Sequence, residues 1–288
     1  MFLSGQGEPL VPFPSLSGTT TSEYAPVGLM LRPFGLYESD LNVNFNRAAR
    51  PLLVTEILQC CTRDARGRAV DQGFFWEMTI GKRIECLLKI ISSTDAREIN
   101  VTFHCANEAC GQELETEMAV SEICALQDEA YMTEHVPIRV EDASLSLRRP
   151  KARDQMAWLK SSFRDEEAAM KAMLLTLLPT ETDEQRALIE VKAHYDEWIQ
   201  SIDRAMEEHD PLVNFTLLSQ CPYCEEENLC EIDLEELALG RLRLAQLRLL
   251  ESVHRLATHY HWSEQQVFSV PYWRRAYYLG LIEKGKNL

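Results

Sequence analysis

Two short cysteine turns constrain this chain more than anything else in it. One is Cys105-Ala-Asn-Glu-Ala-Cys110, and the other is Cys221-Pro222-Tyr223-Cys224. Each lies between two runs that alternate in strand fashion: REINVTFH and GQELETEMAV around the first, VNFTLLSQ and ENLCEIDLEEL around the second. Cysteine pairs separated by ~2–4 residues on a tight turn aim two sulfurs at one point, and two such pairs make four thiolates, the complement of a closed structural zinc site. Cys105, Cys110, Cys221 and Cys224 are therefore the candidate ligands of a single structural Zn²⁺ per chain. That ion would pin together parts of the chain separated by residues 111–220. Four sulfurs leave no coordination position for water or substrate, so such a site would stabilise and not catalyse. The same residues leave other readings open. The cysteines can be reduced and metal-free, and Cys230 or His104 can replace a ligand. CPYC also fits a thiol-disulfide oxidoreductase, although Glu225, Glu226 and Glu227 beside it disfavour a thiolate.

The nine cysteines are an odd number in a chain of 288 residues, which argues against a disulfide framework. Cys86 in IECLLKII and Cys124 in SEICAL sit on apolar patterns and read as core. Of the adjacent Cys60 and Cys61, one is expected buried and one partly exposed. Asp+Glu 45 against Lys+Arg 29 gives a net charge of −16. Such a surface repels polyphosphate, so nucleic acid and anionic membrane are unlikely partners, and a zinc-ribbon nucleic-acid module, a further alternative, would need a basic face that the chain lacks on average. The basic run Arg148, Arg149, Lys151, Arg153 is short and lacks interleaved aromatics. No apolar run approaches the ~18 residues that span a bilayer. The opening MFLSGQGEPLVPFPSLSG has neither a basic start nor an unbroken apolar core, so a soluble, cytosolically made protein is expected. No phosphate loop, nucleophile elbow or zinc-protease helix stands out, and no small-molecule substrate is implied.

Along the chain, residues 1–27 form a Ser/Thr/Gly/Pro-rich extended arm whose Phe2, Phe13 and Tyr24 need a partner surface, on a neighbouring subunit or on their own domain. An N-terminal α+β unit (28–150) holds the first cysteine turn and a helix whose Ile84, Leu87, Leu88 and Ile91 fall on one face. Residues 143–153 read as a basic linker. Residues 151–238 contain two long helices (154–178 and 183–209) in an antiparallel hairpin, then the second cysteine turn. Thr182 and Gln185 form a capping box, and Leu188, Val191, Tyr195, Trp198, Ile202 and Met206 form a stripe. Residues 239–288 are a C-terminal helical segment, with Leu242, Leu249, Val253 and Leu256 on one side of its first helix. Ser263 and Gln266 form a capping box, and Pro271 begins a last helix whose Trp273, Tyr277 and Leu281 read as a buried face, while Trp273, Tyr277 and Tyr278 read equally well as an exposed face for a partner. His254, His259 and His261 read as a helix end and not as a metal site. The fold class is α+β, mainly helical, with helix-plus-β-hairpin units duplicated around zinc-ribbon-like knuckles and a helical hairpin inserted.

The pattern PSLSGTTTSEYAPVGLMLRPF, followed by a helix ending in Cys60 and by the helix ahead of Cys105–Gly111, resembles the baseplate hub and assembly family of contractile-tailed phages. The C-terminal HYHWSEQQVFSVPYWRRAYYLGLIEK is similar to the end of small tail-assembly proteins, where a His-Trp-Ser segment precedes an Arg-Arg-aromatic helix. Related proteins occur in phage-derived contractile injection systems. The resemblance covers residues 14–120 and 250–288, and the chain departs from it in the second cysteine knuckle and the helices at 155–208. It implies a structural or chaperone-like role in building a baseplate or hub, with other tail, baseplate or hub proteins as partners. The expected location is the bacterial cytoplasm during assembly, or the finished particle. It carries over no catalytic residue.

Overall fold

The structure is a computed structural model that describes residues 2–3, 9–16, 28–46, 49–94, 97–129, 135–140, 143–179 and 182–285. Short strands β1 (Phe2–Leu3), β2 (Pro9–Pro12), β3 (Met30–Leu31) and β4 (Thr62–Arg63) form one antiparallel sheet in that order. Helices α1 (Arg50–Cys61), α2 (Gln72–Trp76) and α3 (Ile80–Thr94) follow or interleave. Then come the hairpin β5 (Glu98–His104) and β6 (Glu113–Ala119), helix α4 (Val120–Glu129), and the hairpin β7 (His135–Val140) and β8 (Ala143–Arg148). Four helices come next: α5 (Ala152–Lys160), α6 (Glu166–Leu177), α7 (Asp183–Lys192) and α8 (Asp196–His209). The hairpin β9 (Phe215–Gln220) and β10 (Glu227–Ile232) leads into α9 (Leu234–Tyr260), α10 (Glu264–Ser269) and α11 (Tyr272–Gly285). The fold is mainly helical α+β with small antiparallel hairpins, as the sequence pattern predicts. The order helix, strand, cysteine turn, strand, helix occurs twice, as α3–β5–β6–α4 and as α8–β9–β10–α9.

The main core is built around α3. Its predicted stripe (Ile84, Leu87, Leu88, Ile91) is buried, but burial continues round the helix to Lys82, Arg83, Glu85 and Cys86. Leu234, Ala238, Leu239, Leu242 and Ala245 of α9 join the same core, as do Leu53, Val54, Ile57 and Leu58 of α1. The buried charges of α3 find polar partners close by. Lys82 Nζ donates to Glu85 Oε2 at 2.8 Å, and Lys89 reaches the other oxygen at 3.0 Å. Arg83 donates to the carbonyl of Pro51 at 2.7 Å and to Thr55 Oγ1 at 3.0 Å, tying α3 to the first turn of α1. Desolvation lowers the Arg83 pKa to about 10.

A second core lies beside it. Val136, Ile138, Leu145 and Leu147, on one face of the β7–β8 hairpin, pack against Leu174, Leu177, Ile189, Trp198 and Ile202 from α6, α7 and α8. This corrects the reading of residues 143–153 as a linker. Ser144, Leu145, Ser146 and Leu147 alternate as a strand does, and the basic residues after them are structural. Arg148 forms a bidentate pair with Asp154 at 2.5 and 2.9 Å, and Arg149 is buried. The two long helices of the expected hairpin are each broken. Asp165 restarts the first by accepting from the Ala168 N–H, and the second resumes after Tyr195. The break turns Val191 and Tyr195 outward, although Trp198 and Ile202 stay inside.

Residues 9–16 of the arm lie on their own domain. Val11 pairs with Leu31, and Phe13 packs against Phe74 with ring centroids 6.1 Å apart. Tyr24 and the side chain of Phe2 fall outside the described residues. Cys61, Cys86 and Cys124 are buried and Cys60 half-buried, as expected. At the C-terminal end, Leu249, Val253, Leu256, Val267 and Ile282 form a small third core. Ser263 and Gln266 make the expected capping box, and Thr182 caps α7 by accepting from the Gln185 N–H. Of the two readings of α11, the structure favours the exposed one for Trp273 and Tyr277: Trp273, Tyr277 and Leu281 are 52%, 72% and 58% exposed and do not form the buried face. The inward positions belong to Arg275 and Ile282. Arg275 donates to the Leu36 carbonyl at 2.5 Å and lies over the Phe268 ring, so a cation that reads as surface sets the rotation of the helix.

At the start of α3, Gly81 leaves room for the buried carboxylate of Asp210, which ends α8. A methyl group at Gly81 would overlap Asp210 Oδ1. We expect Gly81→Ala to cost about 3 kcal/mol in a denaturant titration, because neither the packed helix nor the buried acid has space to retreat. A loss below about 0.5 kcal/mol, the range of an ordinary surface substitution, would contradict this close approach.

Candidate metal centre

The two cysteine turns end in the same way despite their different lengths. In the first, the Cys105 N–H donates to the Gln112 carbonyl, and the N–H groups of Cys110 and Gly111 donate to the Asn107 carbonyl, each at 2.9 Å. Asn107 Oδ1 accepts from the Ala109 N–H at 3.0 Å, which tightens the turn further. In the second, the Cys221 N–H donates to the Glu226 carbonyl and the Glu225 N–H to the Cys221 carbonyl, both at 2.9 Å. In both, the residue after the second cysteine has positive φ: Gly111 at 55° and Glu225 at 62°. That left-handed step returns the chain to the second strand of each hairpin. Glycine takes it freely, while glutamate does so at a cost.

The turns face each other and bring all four candidate cysteines together. Cys105 Sγ lies 3.5 Å from Cys224 Sγ, Cys110 Sγ lies 3.8 Å from Cys221 Sγ, and all four sulfurs fall within 4.8 Å of one another. These separations are too long for disulfides, whose S–S bond is ~2.05 Å. They suit a tetrahedron of thiolates ~2.3 Å from a central ion, whose edges are ~3.8 Å. The four cysteines are thus a cluster able to hold a metal ion. Cys105 and Cys221 are buried, Cys110 and Cys224 half-buried, and Phe103 and Leu114 cover the sulfurs. Neither Cys230 nor His104 belongs to the cluster. Cys230 lies along β10 opposite Leu217, and His104 ends β5 opposite Glu113. Among the described residues, no second group of metal-binding side chains is present, and His254, His259 and His261 do not converge. His261 instead ends α9 with φ 55°.

The sulfurs do not ionise alike. Burial opposes a thiolate at Cys221, but the N–H groups of Tyr223 and Cys224 and the neighbouring thiols outweigh it and bring its pKa down to about 7. At Cys224 the Glu226 N–H favours the thiolate, yet burial and the other three sulfurs push it up to about 12. Burial also raises Cys105. One proton therefore leaves near neutrality and the last is held tightly, because anionic sulfurs this close repel one another. A divalent cation among them removes that obstacle.

The sequence reading missed Asn228. It is 1% exposed and joins the two turns. Its Oδ1 accepts from the Ala106 N–H in the first turn at 2.7 Å, while its Nδ2 donates to the carbonyls of Glu226 at 2.9 Å and Ser219 at 3.3 Å. The available signal was a polar residue on the same strand face as Cys230 and Ile232, with Leu229 left outside at 71% exposure.

Compared with models of known families, with curated proteins and with solved structures, the chain gives no match. Its site is read from its own geometry. Replacing the strained residue of the second turn tests that geometry: Glu225→Gly should stabilise the folded chain by about 0.5 kcal/mol, the relief of left-handed strain less the added freedom of glycine when unfolded. A lowered melting temperature would show that Glu225 is not held in this conformation.

Proposed function

We propose that the chain is a non-catalytic structural or assembly component stabilised by one Zn²⁺ bound to Cys105, Cys110, Cys221 and Cys224. The observation that carries this reading is the convergence of four sulfurs from two hairpins far apart in sequence. Sulfur-only tetrahedral sets favour zinc or iron–sulfur chemistry. Two facing knuckles with no open coordination position suit a structural zinc. The resemblance to the baseplate hub and assembly family supplies the setting: a baseplate or hub of a contractile phage tail or injection system, with its other proteins as partners. Assembly would take place in the bacterial cytoplasm, and the protein would then leave or remain in the particle. Two features support an assembly role. Trp273, Tyr277 and Leu281 present an exposed apolar stripe, of the residue types that dominate interface hot spots. The acidic net charge keeps free chains apart in solution.

The rival readings find less support. A thiol oxidoreductase places its cysteine pair at a helix N-terminus, whereas CPYC turns between two antiparallel strands and faces a second pair. A nucleic-acid module needs a basic face, but Glu98, Glu115 and Glu117 crowd the first hairpin, where Glu98 pushes the carboxyl of Glu117 up. Arg149 and Lys151 are buried. No described helix is long and apolar enough to cross a membrane.

Purified protein should carry about one zinc per chain, and Cys105→Ser and Cys221→Ser should lower the melting temperature alike, since either opens the same site. Zinc affinity should fall as pH drops below 7, because bound thiolates must be regenerated from thiols. Absence of zinc, or loss from only one of the two variants, would refute the shared site. For the assembly role, pull-down from producing cells should recover tail, baseplate or hub proteins in fixed ratio, and recovery of none would reject it.

A further inference from the structure

A cleft between α5 and the first turns of α1 and α9 takes no part in the metal centre. It consists of two adjoining cavities of about 630 and 660 Å³ that share Arg50, Gln155 and Glu235 in their walls. Each is within the ~300–1,000 Å³ usual for ligand sites. Their chemistry differs. One is walled by Glu207 of α8, Glu231 of β10 and Asp233, together with apolar side chains of α3. The other is lined by Trp158, Leu159, Phe163 and Met173.

Among the described residues, Arg50 is the only cation lining either cavity, and its guanidinium is already engaged, with Asp233 at 2.6 Å and Glu236 at 3.1 Å. Glu235 lies where the cavities meet. It is 7% exposed, and among the described residues no hydrogen bond or ion pair ends on its carboxylate. Burial pushes its carboxyl up, with only the through-space pull of Arg83 and Arg50 in the other direction. A buried carboxylate without a partner costs free energy that an arriving cation would offset.

We propose that this cleft binds a peptide segment of a partner protein in which a lysine or arginine neighbours an apolar side chain. The cation meets Glu235 with Glu207 and Glu231 around it, and the apolar neighbour enters the cavity lined by Trp158 and Met173. Charge complementarity fixes the sign of the ligand. Two cavities side by side, open to solvent where Leu159 is 63% exposed, fit an extended segment better than a compact molecule. This site goes beyond the zinc and assembly readings and does not depend on either.

The test uses the intact protein and a fluorescein-labelled acetyl-GKLKLG peptide, read by anisotropy. Saturable binding is expected, with none for the same peptide carrying glutamate in place of lysine. Glu235→Gln, nearly isosteric, should weaken binding about tenfold or more. Leu159→Asp, at an exposed position, should do the same without shifting the melting temperature. Glu184→Gln removes an equal charge from the exposed start of α7 and should leave binding unchanged. Equal affinity in Glu235→Gln, or an equal loss in Glu184→Gln, would overturn the cleft as the site. Full competition by N-acetyllysine amide would overturn the peptide as its occupant. Either failure leaves the zinc content and the pull-down result as they stand.

Discussion

Four sulfur atoms lie within 4.8 Å of one another although they come from parts of the chain that are 111 residues apart at their nearest cysteines. Closing a loop of that length costs of order 4–5 kcal/mol of chain entropy. In return, the hairpins β5–β6 and β9–β10 are fixed against each other, and with them the helices that leave each hairpin. α4 follows directly from β6 and α9 from β10. The second-core elements β7, β8 and α5 to α8 all lie within the closed loop, so their placement is bounded at both ends. Asn228 reinforces the junction without touching the sulfurs, by filling the hydrogen-bonding needs of both turns from one buried amide.

The junction was legible because it is encoded locally. Cysteine spacing, flanking alternation and the turn residues lie within short windows, and the strand registers follow from them. The helical stripe of α3 and the inward leucines of α9 were legible for the same reason. Elements whose placement depends on a distant partner were not. α11 carries apolar residues on two faces, and the choice between them is made by Arg275 reaching the Leu36 carbonyl from the other end of the chain. The run at Arg148 to Arg153 reads as solvated because isolated charges usually are. Here Asp154 holds the largely buried Arg148 and Glu77 pairs with the buried Lys151, while Arg153 stays exposed.

Buried charge recurs as a means of joining segments that apolar contact alone would leave free to slide. Asp40 is fully buried, accepts from Arg32, and also accepts from the N–H groups of Gly35, Leu36 and Tyr37 at 2.9 to 3.0 Å. The loop so formed presents its own carbonyls outward: Gln246 of α9 donates to those of Asp40 and Val43, and Arg275 of α11 to that of Leu36. Directional bonds of this kind set register as well as proximity, which nonpolar packing does less strictly. Breaking one would leave a buried charge or carbonyl without its partner, so its loss is felt beyond the local contact.

α9 starts directly after the sulfur-bearing hairpin and ends packed against Tyr278, Leu279 and Ile282 of α11, the helix that carries the exposed aromatic stripe. Its 27 unbroken residues span about 40 Å. The helix is in effect a ruler, with the four-sulfur knot at one end and the exposed apolar stripe at the other. Any companion that grips both must match that fixed span. Loosening the knot would change where the far face is presented without altering a single residue of it.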